Sequence, residues 1–300
     1  MPFLSRALKL NPGGVAVRTP ERTVTYRELT RRAEEVAEGL RGAGVRPGMT
    51  VALEADLHVG FLVGLHGIWR AGATAAPLSQ AWTPGELARA LELLGPAFLL
   101  TPGGEGDEMS CEPGGLPPVP DGIPTPPPLA ARLLTSGTAW GPGAVDLPFH
   151  NLQASARASR ERLELGPEDR WLASLSPAHV GGLALVTRAA YLGSSLVLAG
   201  RFDPGSFLEL ANEGQVSHAS LVPTMLRRTL DAPGGREAPP GLRCLLTGGA
   251  AAPLPLVLEA LEAGYPVSLI YGLTEATSQV ATAPPSLVRE KPGTVGPALP

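Results

Sequence analysis

Leu269-Ile270-Tyr271-Gly272-Leu273-Thr274-Glu275 (269–275) starts as an apolar run and ends in an aromatic ring, a hydroxyl and a carboxylate. The apolar part, 267–270, reads as a strand buried on both faces, the habit of a parallel sheet. Side chains leaving the carboxyl ends of parallel strands point into the crevice where ligands bind. Tyr271, Thr274 and Glu275 are therefore candidate functional residues. Taken alone, the same segment also reads as a Thr cap before an acidic first helical turn.

Two other strand ends carry similar chemistry. Thr135-Ser136-Gly137-Thr138 follows the apolar run 131–134, and its hydroxyls and free backbone N–H groups suit a phosphate. Leu246-Thr247-Gly248-Gly249-Ala250 ends the run 242–246, and paired glycines let the backbone approach a flat ligand. Each is an ordinary turn as readily as a site. Neither GxxxxGK[ST] nor GxGxxG occurs, so a P-loop NTPase and an NAD-type dehydrogenase are both disfavoured.

Working outward, strands alternate with helices. Thr25 and Glu28 have capping-box spacing and open a helix whose apolar face is Leu29, Ala33, Val36, Ala37 and Leu40. Gly44 ends it. A strand at 51–53, a helix at 59–70 and a strand at 75–78 follow. Thr83-Pro84-Gly85-Glu86 starts the next helix, and 97–100 is a strand. Residues 102–130 are dense in Pro, Gly and acids and read as an exposed linker. The second series is 131–134 (strand), a helix after Asn151, strands at 171–175 and 195–198, and a helix at 204–212. Then come 218–222 (strand), 224–230 (helix), 242–246 (strand), 255–263 (helix) and 267–270 (strand). The alternation predicts an α/β fold with two mostly parallel sheets and flanking helices. The expected division is 1–101 as a first α/β subdomain, 102–130 as linker and 131–300 as the second subdomain with the nucleotide motifs.

Composition narrows the partners. A net charge of −4 without clustered Lys/Arg argues against nucleic acid or an anionic membrane, so charged ligands must be held by local loops. Cys111 and Cys244 form no zinc or disulfide spacing, which fits a reducing cytoplasm. No signal peptide is expected at 1–12. The apolar stretch 58–78 is broken by His66 and Arg70, so no membrane span is expected. A homo-oligomer is left open. Of the 24 basic residues only Lys9 and Lys291 are lysines, so any lysine-dependent step has two candidates.

Together and in this order, TSGT, the GG loop and YGLTE resemble the adenylate-forming, or AMP-binding, superfamily of acyl-CoA ligases, luciferases and adenylation domains. Val24-Thr25-Tyr26, His150-Asn151-Leu152 and Lys291-Pro292-Gly293-Thr294-Val295-Gly296 extend the likeness along the chain. Within the superfamily, Ser176-Pro177-Ala178-His179-Val180-Gly181-Gly182-Leu183, Phe202-Asp203-Pro204 and Ser220-Leu221-Val222-Pro223-Thr224-Met225-Leu226 are similar to the o-succinylbenzoate–CoA ligases. So are Ala252-Pro253-Leu254-Pro255 and, most specifically, the Thr277-Ser278-Gln279-Val280 tail.

The resemblance implies an enzyme that joins a small-molecule carboxylate to ATP and passes the acyl group to coenzyme A. It implies ATP, Mg²⁺ and coenzyme A as cofactors. Thr135, Ser136, Gly137 and Thr138 would then hold the β- and γ-phosphates. Gly248, Gly249 and Ala250 would line the adenine and acyl side, with Tyr271 beside the adenine. Thr274 would bond the α-phosphate, and Glu275 would hold Mg²⁺. His179 and Gly182 would approach the acyl pocket, and Ser278 and Gln279 would hold the acid; a hydrogen-bonded structural role for His179 stays open.

Two departures stand out. The family loop TSGTTGxPKG is here Thr135-Ser136-Gly137-Thr138-Ala139-Trp140-Gly141-Pro142-Gly143-Ala144, so Gly143 occupies the lysine position. Arg157 or Arg160 is a candidate replacement. The family's ribose-binding Asp, hinge and lid with its lysine are expected after Pro300, which favours a longer parent protein over a lidless homologue. A non-catalytic nucleotide- or acyl-binding homologue is the rival expectation.

Overall fold

The computed structural model describes residues 3–102, 109–113, 128–138 and 141–300. Ala139 and Trp140, the altered part of the TSGT loop, lie outside them. The larger sheet runs β14 (Ser278–Ala283), β13 (Val267–Leu273), β12 (Cys244–Thr247), β11 (His218–Leu221), β9 (Arg170–Leu172), β10 (Ser195–Val197), β1 (Val15–Arg18), β2 (Thr23–Thr25). Its inner neighbours are parallel and only the two outer pairs are antiparallel.

The smaller sheet runs β6 (Met109–Pro113), β5 (Phe98–Pro102), β3 (Thr50–Glu54), β4 (Thr74–Leu78), β7 (Leu129–Thr138), β8 (Gly141–Pro148). Again the inner pairs are parallel and the edges antiparallel. The expected α/β class with mostly parallel sheets is what forms. An antiparallel edge strand ends each parallel ladder without needing another crossover helix.

Local rules account for the helices. Thr25 caps α2 (Tyr26–Gly42) by accepting from the Glu28 N–H. Thr83 and Glu86 form a complete capping box on α4 (Pro84–Leu94). In α3 (Val59–Arg70) every residue from Val59 to Trp69 is buried, which explains an apolar run without a polar face. The helix α6 (Val180–Leu192) is buried nearly as fully and shares one core with α3. Among the described residues no helix is long and apolar enough to cross a membrane.

Sheet membership does not follow the division at 102–130. The run expected to open the second series belongs to β7, whose Ala131 pairs with Ala75 of β4 in the smaller sheet. Conversely β1, from the chain's start, pairs with β10 in the larger sheet. Part of the expected linker is itself a strand, since Cys111 in β6 pairs with Leu100 in β5. Composition describes how polar a segment is, not which distant strand it meets, so pairing overrode it.

A polar row crosses the larger sheet at the amino ends of its central strands. Trp171, His218 and Cys244 are lateral neighbours there. Trp171 is fully buried, its ring 4.8 Å from that of His218, and the Arg188 guanidinium lies 5.1 Å from its centroid. Burial, with Arg243, Arg188 and Arg170 nearby, pushes the His218 imidazole down to about 3, so it stays neutral. Burial likewise raises the Cys244 thiol to about 12, which leaves it unreactive.

Candidate functional site

The GG turn and the YGLTE turn leave adjacent parallel strands, β12 and β13, at the same carboxyl end. Their packing requires glycine. A Cβ on Gly248 would lie 2.2 Å from the Ile270 side chain, so the turn sits flat against β13. Gly249 takes φ +78°, a left-handed conformation that glycine adopts without steric cost. Gly249 and Ala250 face solvent.

The YGLTE segment turns more sharply. A Cβ on Gly272 would stand 2.0 Å from the Ser278 carbonyl oxygen, because β13 doubles back into β14 with a register shift between Tyr271 and Gly272. The reversal uses a 3-10 turn at Thr274–Ala276, closed by the Thr277 N–H donating 2.9 Å to the Thr274 carbonyl. Thr277 (φ 60°) and Ser278 (φ 96°) then adopt left-handed backbone, costly for side-chain-bearing residues and concentrated at functional sites. The outcome is a projecting corner with Tyr271 55% exposed, Glu275 exposed and Thr274 half-buried.

The TSGT segment reaches this corner from the other sheet. It ends β7, which pairs with β8 as a hairpin with Thr135 opposite Gly143 and Thr138 opposite Gly141. The Thr135 hydroxyl donates to the Gly143 carbonyl at 3.4 Å. Cα atoms of β8 lie within 8 Å of those in the 274–276 turn. So β8 of the TSGT hairpin lies beside the YGLTE corner, and the GG turn leaves the strand next to that corner.

His179 lies at the start of α6 on the segment after β9. It is exposed, with extended backbone, and its side chain caps nothing. Its carbonyl accepts from the Gly182 and Leu183 N–H groups. A Cβ on Gly182 would meet the Ser176 and Leu175 carbonyl oxygens at 2.3 and 2.4 Å. The glycine therefore lets the first turn of α6 close on the segment that carries His179.

Ser278 and Gln279 are buried at the start of β14. The Gln279 Oε1 accepts from the hydroxyl of Ser159, in α5 (Phe149–Leu163), while the Gln279 Nε2 is buried with no protein partner. A buried amide N–H₂ without an acceptor is costly in an otherwise satisfied core and suits a ligand oxygen. Ser159 was not singled out in the sequence. Its signal was the i, i+4, i+7 stripe Leu152, Ala156, Ser159, all buried, where one polar residue interrupts an apolar face.

The donor set fits a divalent cation only if a ligand supplies most of the oxygens. Glu275 has no ion-pair partner among the described residues, and no group of three or more metal-ligating side chains occurs there. One free carboxylate near the TSGT hairpin suits Mg²⁺ where a ligand brings phosphates, since that ion is bound through one or two carboxylates plus phosphates. Of the arginines considered for the missing lysine, Arg157 lines a separate groove with Arg6 and Lys9.

The chain matches the family AMP-binding enzyme over residues 4–300. The 2-succinylbenzoate–CoA ligase of Bacillus subtilis (strain 168) is 31% identical over 310 residues, covering 99% of this chain and 63% of that protein. A feruloyl-CoA synthase of Amycolatopsis is 31% identical, over 97% of this chain and 62% of its own length. Among solved structures, o-succinylbenzoate coenzyme A synthetase from Bacillus subtilis in complex with AMP superposes with a TM-score of 0.86 at 30% identity, covering 100% of this chain and 64% of that one. The same synthetase has also been solved with ATP and magnesium ion. This chain thus spans 63% of the length of that Bacillus subtilis relative. A family match running over both sheets places this chain in the AMP-binding enzyme family.

Proposed function

We propose that the protein of which this chain is part is an ATP-dependent acid–thiol ligase that makes an acyl-adenylate and then an acyl-CoA, with o-succinylbenzoate as the acid, in menaquinone synthesis. The observation that supports the reading is the nearness of β8, in the TSGT hairpin, to the YGLTE corner, with the GG turn on the adjacent strand. In the first step a substrate carboxylate oxygen attacks the α-phosphorus of ATP. The α–β bridging bond breaks, and pyrophosphate leaves with its electron pair. In the second, the coenzyme A thiolate attacks the acyl carbon and AMP leaves.

The chain's contribution is placement and charge stabilisation. Thr135, Ser136, Gly137 and Thr138 hold the β- and γ-phosphates. Gly248, Gly249 and Ala250 offer backbone to the adenine and acyl side, and Tyr271 covers the adenine. Thr274 donates to the α-phosphate. Glu275 holds Mg²⁺, which when bound supplies positive charge to the phosphate oxygens. Gln279 Nε2, with Ser278, holds the acid, and Gly182 acts through the turn that sets His179.

The test is pyrophosphate release from ATP by the product of the whole reading frame. Release is expected to depend on o-succinylbenzoate. Glu275→Gln is expected to slow it about 10²–10³-fold, the scale for removing one transition-state charge contact. Release that is equally fast with a fatty acid would reassign the substrate, and no release with any acid would leave a binding protein.

Gly143 favours that second reading, nucleotide binding without chemistry, because it removes a charge from the phosphate hairpin. Restoring the charge tests it. Among the described residues a Cβ at Gly143 would meet only the Thr135 hydroxyl, at 4.0 Å, and its φ lies outside the left-handed region. Gly143→Lys should therefore fold and tighten ATP by about ten- to a hundredfold, from about 1.5–3 kcal/mol of charge-assisted bonding. Calorimetry showing unchanged ATP affinity would mean that this hairpin does not hold phosphates.

A further inference from the structure

The helices α1 (Phe3–Leu10), α5 and the end of α6 line an open groove of about 730 Å³. Its walls carry Arg6 and Lys9 from α1 and His150, Gln153 and Arg157 from α5, with Tyr191 from α6. No Asp or Glu lines it, although the chain as a whole carries more acids than bases. His150, Gln153 and Arg157 stand at i, i+3 and i+7, so they form one stripe along α5 facing α1.

Two features distinguish the groove from a chance basic patch. Arg6 is held in place: its Nε donates 2.9 Å to the Tyr191 carbonyl, and its guanidinium lies 4.1 Å above the Tyr191 ring. That fixes a planar cation whose remaining N–H edge is free for an oxyanion. Lys9 and Arg157 have no ion-pair partner among the described residues, yet converge on the same space. Like charges drawn together raise the free energy of the fold, and a bound anion is what relieves it.

We propose that this groove is a second anion site, taking a small phosphate-bearing ligand of two or more negative charges. It is distinct from the candidate active site. Its lining shares no residue with the TSGT, GG or YGLTE turns. The site offers an effector position, since occupancy would tie α1 to α5, whose Ser159 bonds Gln279.

The scarcity of lysine makes the test local. Lys9 and Lys291 are the two lysines of this chain, and after treatment with an amine-directed acylating reagent mass spectrometry reads each of their peptides separately. With inorganic pyrophosphate about ten times above its Kd, acylation of Lys9 should slow about tenfold while Lys291 is unchanged. Arg157→Gln should abolish that protection, and Thr274→Ala should leave it intact. A Lys9-to-Lys291 ratio unaffected by pyrophosphate would overturn the proposal. So would equal protection by chloride at matched ionic strength, which is screening alone. Leu10, 51% exposed, makes a lipid headgroup the other source of phosphate. Protection by phosphatidylglycerol vesicles but not by pyrophosphate would overturn the small-ligand assignment.

Discussion

Gly272→Ala is expected to cost more function than any other single methyl group added to this chain. The added carbon would sit 2.0 Å from the Ser278 carbonyl oxygen and 2.8 Å from its carbon. Both are backbone atoms, so no side-chain rotation relieves the overlap. The β13–β14 pair must open instead, at the point where Thr277 and Ser278 already hold left-handed backbone. Overpacking of this kind costs about 1–3 kcal/mol in stability. The catalytic penalty should be larger, because displacing Thr274 and Glu275 by about 1 Å is enough for about a 10²-fold loss. Thermal unfolding and acid-dependent pyrophosphate release, measured on the same sample, check this. A variant that keeps its full rate would show that the corner takes no part in the reaction.

Trp171→Ala is expected to bring the largest loss of stability. The ring is completely buried, stacked on neutral His218, with the Arg188 guanidinium on it. Truncating a buried Trp costs about 3–5 kcal/mol through lost burial and the cavity left behind. Arg188 adds to this. Its Nε and Nη1 are buried without protein partners, and burial lowers its pKa to about 10, so the ring is its main compensation. Trp171→Phe keeps an aromatic face and should cost much less. Urea unfolding should show the midpoint falling steeply for the Ala variant and modestly for the Phe one, with the slope unchanged. Equal midpoints would mean that the row contributes little.

Much of this architecture was legible in local sequence. The Thr25 and Thr83 caps and the helix 59–70 form where the sequence put them, because capping spacing and a long apolar run are local signals. The three strand-end turns were legible too, since Gly and hydroxyl residues after apolar runs are a local signal. The antiparallel edge strands β6, β8 and β14 were not. They are short and rich in small or polar residues, and only their partners make them strands. Sheet membership escaped for the same reason. At Gly182 an added Cβ would meet the carbonyls of Leu175 and Ser176, a packing demand that stands beside the expected place at the acyl pocket. A glycine kept for close packing and one kept for a ligand look alike in sequence.

The crossing of strands between the two sheets bears on how the chain matures as it is made. The Ser195 hydroxyl donates to the Val15 carbonyl across 180 residues, and β1 has no parallel neighbour other than β10. At ribosomal rates of about 5–20 residues per second, the amino-terminal ribbon stands exposed for roughly 10–35 s before its docking strand emerges. Its antiparallel companion β2 shields only one side of it meanwhile. Assembly of the larger sheet is therefore a late event, and a nascent chain paused before β10 leaves a strand edge open to whatever holdase or neighbouring chain reaches it first.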